Sequence, residues 1–304
     1  MTGNTYSKLP GSGLAKFFAL RGRPIMDGCS SLWYSAPHRF LISLPYQQPL
    51  NPAPEAIQAL LRSSKASGVR FMSRQWGGIS GGVYVCCDRK YSLDTIHKKN
   101  RTAVRRALET YEIRHVKEGE LLGQGLQLNR ETMARQGRYD PEFGEEGQWS
   151  RFVKAIPECP EIEAFGAFVG KRLCAYLITC REDRWLNILH QMSRPDDLKS
   201  YPNHVLTYSV TKAACEDPSL KGVSYGLVPL IVNNGLHEYK IRLGYSVIPQ
   251  SCVVVLRPEL NLFLNNRFVR WGVNLFCRLR PNDRRLEMTG TILRAAEATS
   301  SERF

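Results

Sequence analysis

The chain has no stretch approaching the roughly 18 uncharged apolar residues that a membrane-spanning helix needs. It also has no Cys-x-x-Cys pair and no His-rich cluster. The first absence argues against an integral membrane protein, the second against a zinc centre, and no metal is expected. A Walker-type G-x-x-x-x-G-K-[ST] loop and a G-x-G-x-x-G are missing as well. Those gaps remove P-loop nucleotide hydrolysis and dinucleotide chemistry as starting readings. Gly11-Ser12-Gly13 and Gly77-Gly78 read as loop glycines, and the adjacent Asp196-Asp197 as a surface loop. Acidic residues are scarce: 28 against 42 lysines and arginines leave a formal charge of +14 over 304 residues. Such a surface suits an anionic partner without choosing among nucleotide phosphates, tRNA, a pyrophosphate-linked lipid and a membrane face.

Nine cysteines are present, odd in number and scattered, several inside apolar runs such as Cys174 and Cys180 of RLCAYLITC. They read as small buried hydrophobes in a reducing compartment, and the adjacent Cys86–Cys87 is a poor metal or redox motif. The first residues lack the order of a secretory signal, because Lys16, Arg21 and Arg23 interrupt and follow a short apolar piece. A cytoplasmic location is the expectation.

Periodicity predicts an α/β protein whose elements repeat. Residues 17–34 read as a hairpin turning at Arg21-Gly22-Arg23, followed by a strand at 40–45, a helix over 54–67 and a strand from Val69. Residues 162–180 read as a second hairpin turning at Val169-Gly170-Lys171, then a strand at 185–192, a helix over 203–216 and a strand at 223–225. The match of FALRGRPI with GAFVGKRL at the two turns suggests a duplicated module. Between them lies a basic helix, 93–109, with Ile96, Asn100, Ala103 and Ala107 on one face and Lys98, Arg101 and Arg105 on the other. A helix over 118–135, a loop at 138–148 and a helix over 149–155 complete the connection. The predicted division is 1–92, 93–160, 161–256 and a basic tail, 257–304, whose polar end EATSSERF is expected to fray.

Three segments in order carry a family likeness. HKKNRTAVRRALETYEIRHV resembles the basic segment of Fem-like acyltransferases. FGAFVGKRLCAYLIT looks like the hairpin of a GNAT domain, and GLHEYKIRLGYSVIP is similar both to the closing GNAT pattern and to the Fem-like [FY]-K-x-x-x-G. With the first half-module the likeness spans about 15–255. It implies two tandem GNAT-like halves, each a mixed sheet flanked by helices. It also implies an acyl-CoA donor, or alternatively an aminoacyl-tRNA, and an amine or hydroxyl acceptor tied to surface-polymer or lipid-linked precursors. Two marks are absent. The stretch SRPDDLKSYPN, where a pyrophosphate loop belongs, contains no glycine, and the long helical arm of the tRNA-using enzymes is missing.

Acyl transfer needs a held donor, an oxyanion contact, a deprotonated acceptor and an acid for the leaving group. The resemblance puts Tyr239 where a GNAT tyrosine protonates the departing thiolate and Lys240 where a Fem-like lysine faces an anionic substrate or developing charge. It puts the oxyanion amide in the strand RWLNILHQMSR, near His190 to Met192. His190 could itself serve as acid or base, or simply be packed. Tyr201, Asn203 and His204 mark a helix start able to hold donor phosphates, with Asn203 as the cap. Lys98, Arg101 and Arg105 are candidates for an anionic acceptor. The tail segment 260–281, with Phe263, Phe268, Trp271, Leu275 and Phe276 among arginines, either caps the core or touches the inner face of an anionic membrane. A rival from another class is a non-catalytic module that binds nucleotide, RNA or membrane. It would fill the gap between the strands at 185–192 and 223–226 with side chains, whereas an enzyme would leave that gap open.

Overall fold

The computed structural model describes residues 11–231, 234–264, 269, 271, 275 and 284–301. Its elements begin with α1 (Ser12–Leu20), β1 (Ile25–Gly28), β2 (Ser31–Ala36), β3 (Phe40–Leu44), α2 (Pro54–Ser64), β4 (Gly68–Ser73) and β5 (Ile79–Cys86). The connection holds α3 (Lys98–Thr110), β6 (Glu112–His115), α4 (Leu126–Arg135) behind a π-helical turn at Leu121–Gly125, and α5 (Glu146–Lys154). There follow β7 (Ile162–Val169), β8 (Arg172–Glu182), β9 (Trp185–Ser193), α6 (Pro202–Glu216), β10 (Gly222–Leu227), α7 (Asn234–Arg242) and β11 (Ser246–Leu256). Helices α8 (Pro258–Leu264) and α9 (Arg284–Ser301) close the described chain.

The eleven strands form one mixed sheet in the order β1-β2-β3-β4-β11-β5-β10-β9-β8-β7-β6. The expected recurrence is there, as β1-β2-β3-α2-β4 and again as β7-β8-β9-α6-β10. The halves are joined edge to edge, and the closing strands change places. β11 lies between β4 and β5, and β5 in turn pairs with β10.

The first hairpin is not where the turn match put it. Residues 17–20 end α1, Gly22 sits at the helix exit with φ 82°, and the hairpin turns at Cys29-Ser30. Leu14, Phe17 and Phe18 are buried while Lys16 is exposed, which is a helical pattern. The loop expected at 138–148 contains a helical turn, Pro141–Gly144, capped by the Asp140 side chain, and α5 already begins at Glu146.

Helices cover both faces. α1, α4 and α5 bury Phe17, Trp149 and Phe152 against Tyr176 and Ile178 of β8. On the opposite face α3, α6 and α7 pack over Leu177, Leu186, Ile188 and Val223. At the other end of the sheet β11 alternates, with Val253 and Val255 under α2 and Val254 and Leu256 under α9. The polar end expected to fray is therefore helical through Ser301. Ala295 and Ala296 are buried, and the Val254 amide donates to Thr299 Oγ1 at 3.3 Å. Most of the segment 260–281, including Phe268, Phe276 and all four of its arginines, lies outside the described residues; Leu262 and Trp271 are exposed. Among the described residues no helix is long and apolar enough to cross a membrane.

Candidate functional site

β9 and β10 are parallel neighbours for three residue pairs only, Gly222 with Trp185, Val223 with Leu186 and Ser224 with Asn187. Beyond them the strands part. Two irregularities mark the place. On β9 the partner of Ile178 is His190 while that of Thr179 is Ile188, so Leu189 is an extra, bulged residue. On β10 the register shifts between Ser224 and Leu227, and Gly226 takes φ 73°, a left-handed conformation glycine adopts without strain. A cleft of about 970 Å³ opens there, bounded by Ile188–Gln191, Tyr201–His204, Tyr225–Leu227, Tyr239 and Lys240, with Arg135 and Arg138 on its wall.

Helix α6 begins at this cleft. Its N-cap is Tyr201, at φ 62° and ψ 40°, with Pro202 in the first turn. Asn203 is thus one residue inside the helix and does not cap it; its amide donates to Ser193 Oγ at 2.8 Å. A polar net links the walls. Gln191 Nε2 donates to the Asn203 carbonyl at 3.2 Å and to Thr207 Oγ1 at 3.0 Å. The Tyr225 hydroxyl donates to Gln191 Oε1, and the Tyr239 hydroxyl donates to the Asn203 carbonyl at 3.0 Å. Burial holds the Tyr239 phenol well above its ordinary value and pushes Tyr225 up to about 12, so both keep their protons at neutral pH.

Lys240 is the unusual member. Only 5% of it is exposed, although a helical lysine is normally solvated. Its ammonium donates to the Tyr225 carbonyl at 2.6 Å and lies 4.2 and 4.3 Å from the ring centres of Tyr84 and Tyr225. Burial lowers its pKa to about 8. Tyr84 is held in turn through its hydroxyl, 2.9 Å from His237 Nδ1.

His190 points the other way. The bulge turns Leu189 and His190 toward the α1/α5 face, where the imidazole stacks on Phe143 at 3.9 Å and 7°. Burial, with Arg138 and Arg21 nearby, drives its pKa down to about 3, and its buried Nε2 has no protein partner. Met192 is buried on that same face, its sulfur 3.9 Å from Arg138 Nη2. His204 stays at the cleft, edge-on to Tyr239 at 4.9 Å, and burial lowers it to about 4. Tyr239, Lys240, Tyr201, Asn203 and His204 therefore converge. Lys98, Arg101 and Arg105 do not line the cleft: Lys98 and Arg105 are exposed on α3, and Arg101 pairs with Asp94 at 3.2 Å. Asp197, read as surface, is buried and held by Arg172 at 2.7 and 2.9 Å.

Sequence reasoning missed Gln191, Thr207, Tyr225 and Tyr84, and gave His237 no role of its own within GLHEYKIRLGYSVIP. The signal for Tyr225 was present as a polar-tipped aromatic near a strand end. Nothing local marks Tyr84, which enters from the other half of the chain through β5.

The parted parallel strands, the bulge and the helix starting between them make this a tandem GNAT-like fold. No protein-family model matches the sequence, and no curated protein matches it. Solved structures do match. FemX superposes with a TM-score of 0.58 at 13% identity, over 84% of this chain and 94% of its own. The C-terminal domain (DUF2156) of a putative lysylphosphatidylglycerol synthetase from Agrobacterium fabrum gives 0.53 at 10%, over 81% and 87%. L-PGS from Bacillus licheniformis gives 0.53 at 13%, over 86% and 92%. At these identities what is shared is the fold.

Proposed function

We propose that the chain is an acyltransferase. An activated acyl group enters where β9 and β10 part and passes to an amine or hydroxyl of an anionic or lipid-linked acceptor. The observation that carries this reading is the parting itself: three paired residues, then a bulge, then an open cleft beside a buried lysine. Backbone amides freed around Leu189–Gln191 grip the acyl carbonyl oxygen as it becomes an oxyanion. Tyr239, protonated at neutral pH, donates a proton to the leaving group, and the charged Lys240 stabilises negative charge at the end of the cleft. Tyr201, Asn203 and His204, at the start of α6, face the donor, with the helix dipole favouring its anionic part. His190 acts by packing against Phe143 and not as acid or base. Lys98, Arg101 and Arg105 form an outer cationic face for the acceptor. The open cleft favours an enzyme over a binding module.

An acyl-CoA is the donor proposed first. The glycine-free segment before α6 favours a second reading, an aminoacyl-tRNA ester: Arg172 pins that segment through Asp197, leaving it little freedom to wrap a pyrophosphate. The enzyme is placed in the cytoplasm, at the inner membrane face when the acceptor is a lipid. Thermal shift and turnover with acetyl-CoA, longer acyl-CoAs and charged tRNAs test the proposal. One donor class should raise the melting point, and Lys240→Met should cut turnover at least 100-fold. No response to any donor would overturn it.

A further inference from the structure

Cys86 and Cys215 lie 129 residues apart in sequence, yet their sulfurs are 3.9 Å from each other, and both residues are almost fully buried. Cys86 ends β5, the strand the first half lends to the seam of the sheet, and Cys215 sits in the last turn of α6. Their contact is built in. Arg89, just past β5, reaches over the end of α6 and donates to the carbonyls of Cys215 at 3.0 Å, Asp217 at 2.8 Å and Leu220. That clamp fixes the helix end over the strand end independently of the cysteines. The neighbouring Cys87 is exposed, so the thiol nearest solvent is not one of the pair.

We infer that Cys86 and Cys215 form an oxidisable dithiol, a modification site at which a peroxide staples α6 to β5. An S–S bond of about 2 Å requires the two sulfurs to close the rest of that gap. Cys86 is the attacking sulfur, because the hydrogen bond from Cys215 lowers its pKa and raises that of Cys215. Its thiolate attacks one peroxide oxygen. The S–O bond forms, the O–O bond breaks, and the departing hydroxide takes a proton to become water. The Cys215 sulfur then attacks the Cys86 sulfenic acid, forming the S–S bond and expelling a second water that carries the Cys215 proton. Two thiols lose two electrons, and one peroxide becomes two waters. This inference is independent of the proposed transfer reaction.

Peptide mapping of the full chain settles it. The protein is treated with hydrogen peroxide, alkylated in denaturant without reductant, and digested. The expected product is a crosslinked peptide pair spanning residues 86 and 215, released by dithiothreitol, and formed equally in Cys87→Ser. Cys86→Ser and Cys215→Ser should each abolish it; should either variant fail to fold, mapping of the wild type and of Cys87→Ser decides. Recovery of both cysteines as alkylated thiols after oxidation overturns the inference. So does a disulfide or dimer formed only through Cys87.

Discussion

Removing the charge of Lys240 tests the site most directly, and the structure supplies the magnitude. Burial takes this lysine from the usual 10.5 down to about 8. The folded state therefore disfavours its charged form by about 3 kcal/mol, at 1.36 kcal/mol for each pKa unit. The sign follows from proton binding. Below pH 8 the amine is charged in both states, and the cost of burying that charge is fully present. Between pH 8 and 10.5 the unfolded chain holds a proton that the folded chain has lost, so stability rises with pH and the cost is relieved. About 2 kcal/mol of the relief should have arrived by pH 9.5. At pH 7 the variant Lys240→Met escapes the cost but loses the bond to the Tyr225 carbonyl and the contacts with two tyrosine rings, together of similar size. A single measurement at pH 7 should thus show a small difference of either sign. The informative quantity is the wild-type minus variant stability from urea unfolding at pH 7, 8, 9 and 9.5. It should be flat from 7 to 8 and then climb by about 2 kcal/mol in favour of the wild type. A flat difference across the whole range would refute the buried-ammonium argument, and with it the reason to assign Lys240 a role in charge stabilisation.

Two further outcomes are expected. Glu142→Gln leaves Arg21, whose side chain is 8% exposed, without its carboxylate partner at 2.5 Å. The loss should be about 3–5 kcal/mol in denaturant unfolding, and a loss under 1 kcal/mol would mean that Arg21 is held by its aromatic neighbours alone. His190, with its pKa lowered to about 3, should stay neutral at pH 5. Nitrogen chemical shifts of its ring should therefore be unchanged between pH 5 and 8, whereas a midpoint near 6.5 would contradict the packing described.

Legibility followed local physics. The strands at β3, β4 and β7 to β10 and the helices α2 and α6 have apolar periods of the right length between glycine or proline stops, and they were readable. So was the buried face of α3: Asn100, Ala103 and Ala107 all face the core. Helix α1 was not, because FFAL is a short apolar run whose period cannot distinguish helix from strand. At the site, Tyr239 and Lys240 came from a resemblance and not from the period of α7, on which a lysine next to a tyrosine would ordinarily be solvated. Lys240 is buried because β5 brings Tyr84 under it, a contact between residues 156 positions apart in sequence that no local pattern announces. For His190 the sequence left both a packed and an acid–base role open. One bulged residue before it reversed the face of the strand, and a bulge leaves no mark in composition.

The glycines around β5 show how the two halves come to share one site. Gly78 and Gly82 look like strand breakers, but a Cβ at Gly78 would stand 2.5 Å from the Cys252 carbonyl oxygen, and one at Gly82 would stand 2.5 Å from that of Ile248, both on β11. A Cβ at Gly222, the first residue of β10, would meet the Cys86 carbonyl oxygen at 2.3 Å. Glycine is therefore required on both edges of β5, where backbones crowd as the exchanged strands are drawn into one sheet. That crowding anchors the beginning of β10 between β5 and β9 and leaves its far end to diverge. The cleft opens at that far end, so the wall carrying Tyr225 is positioned by a strand from the other half of the chain. The site in the second half is complete only when β5 lies beside it.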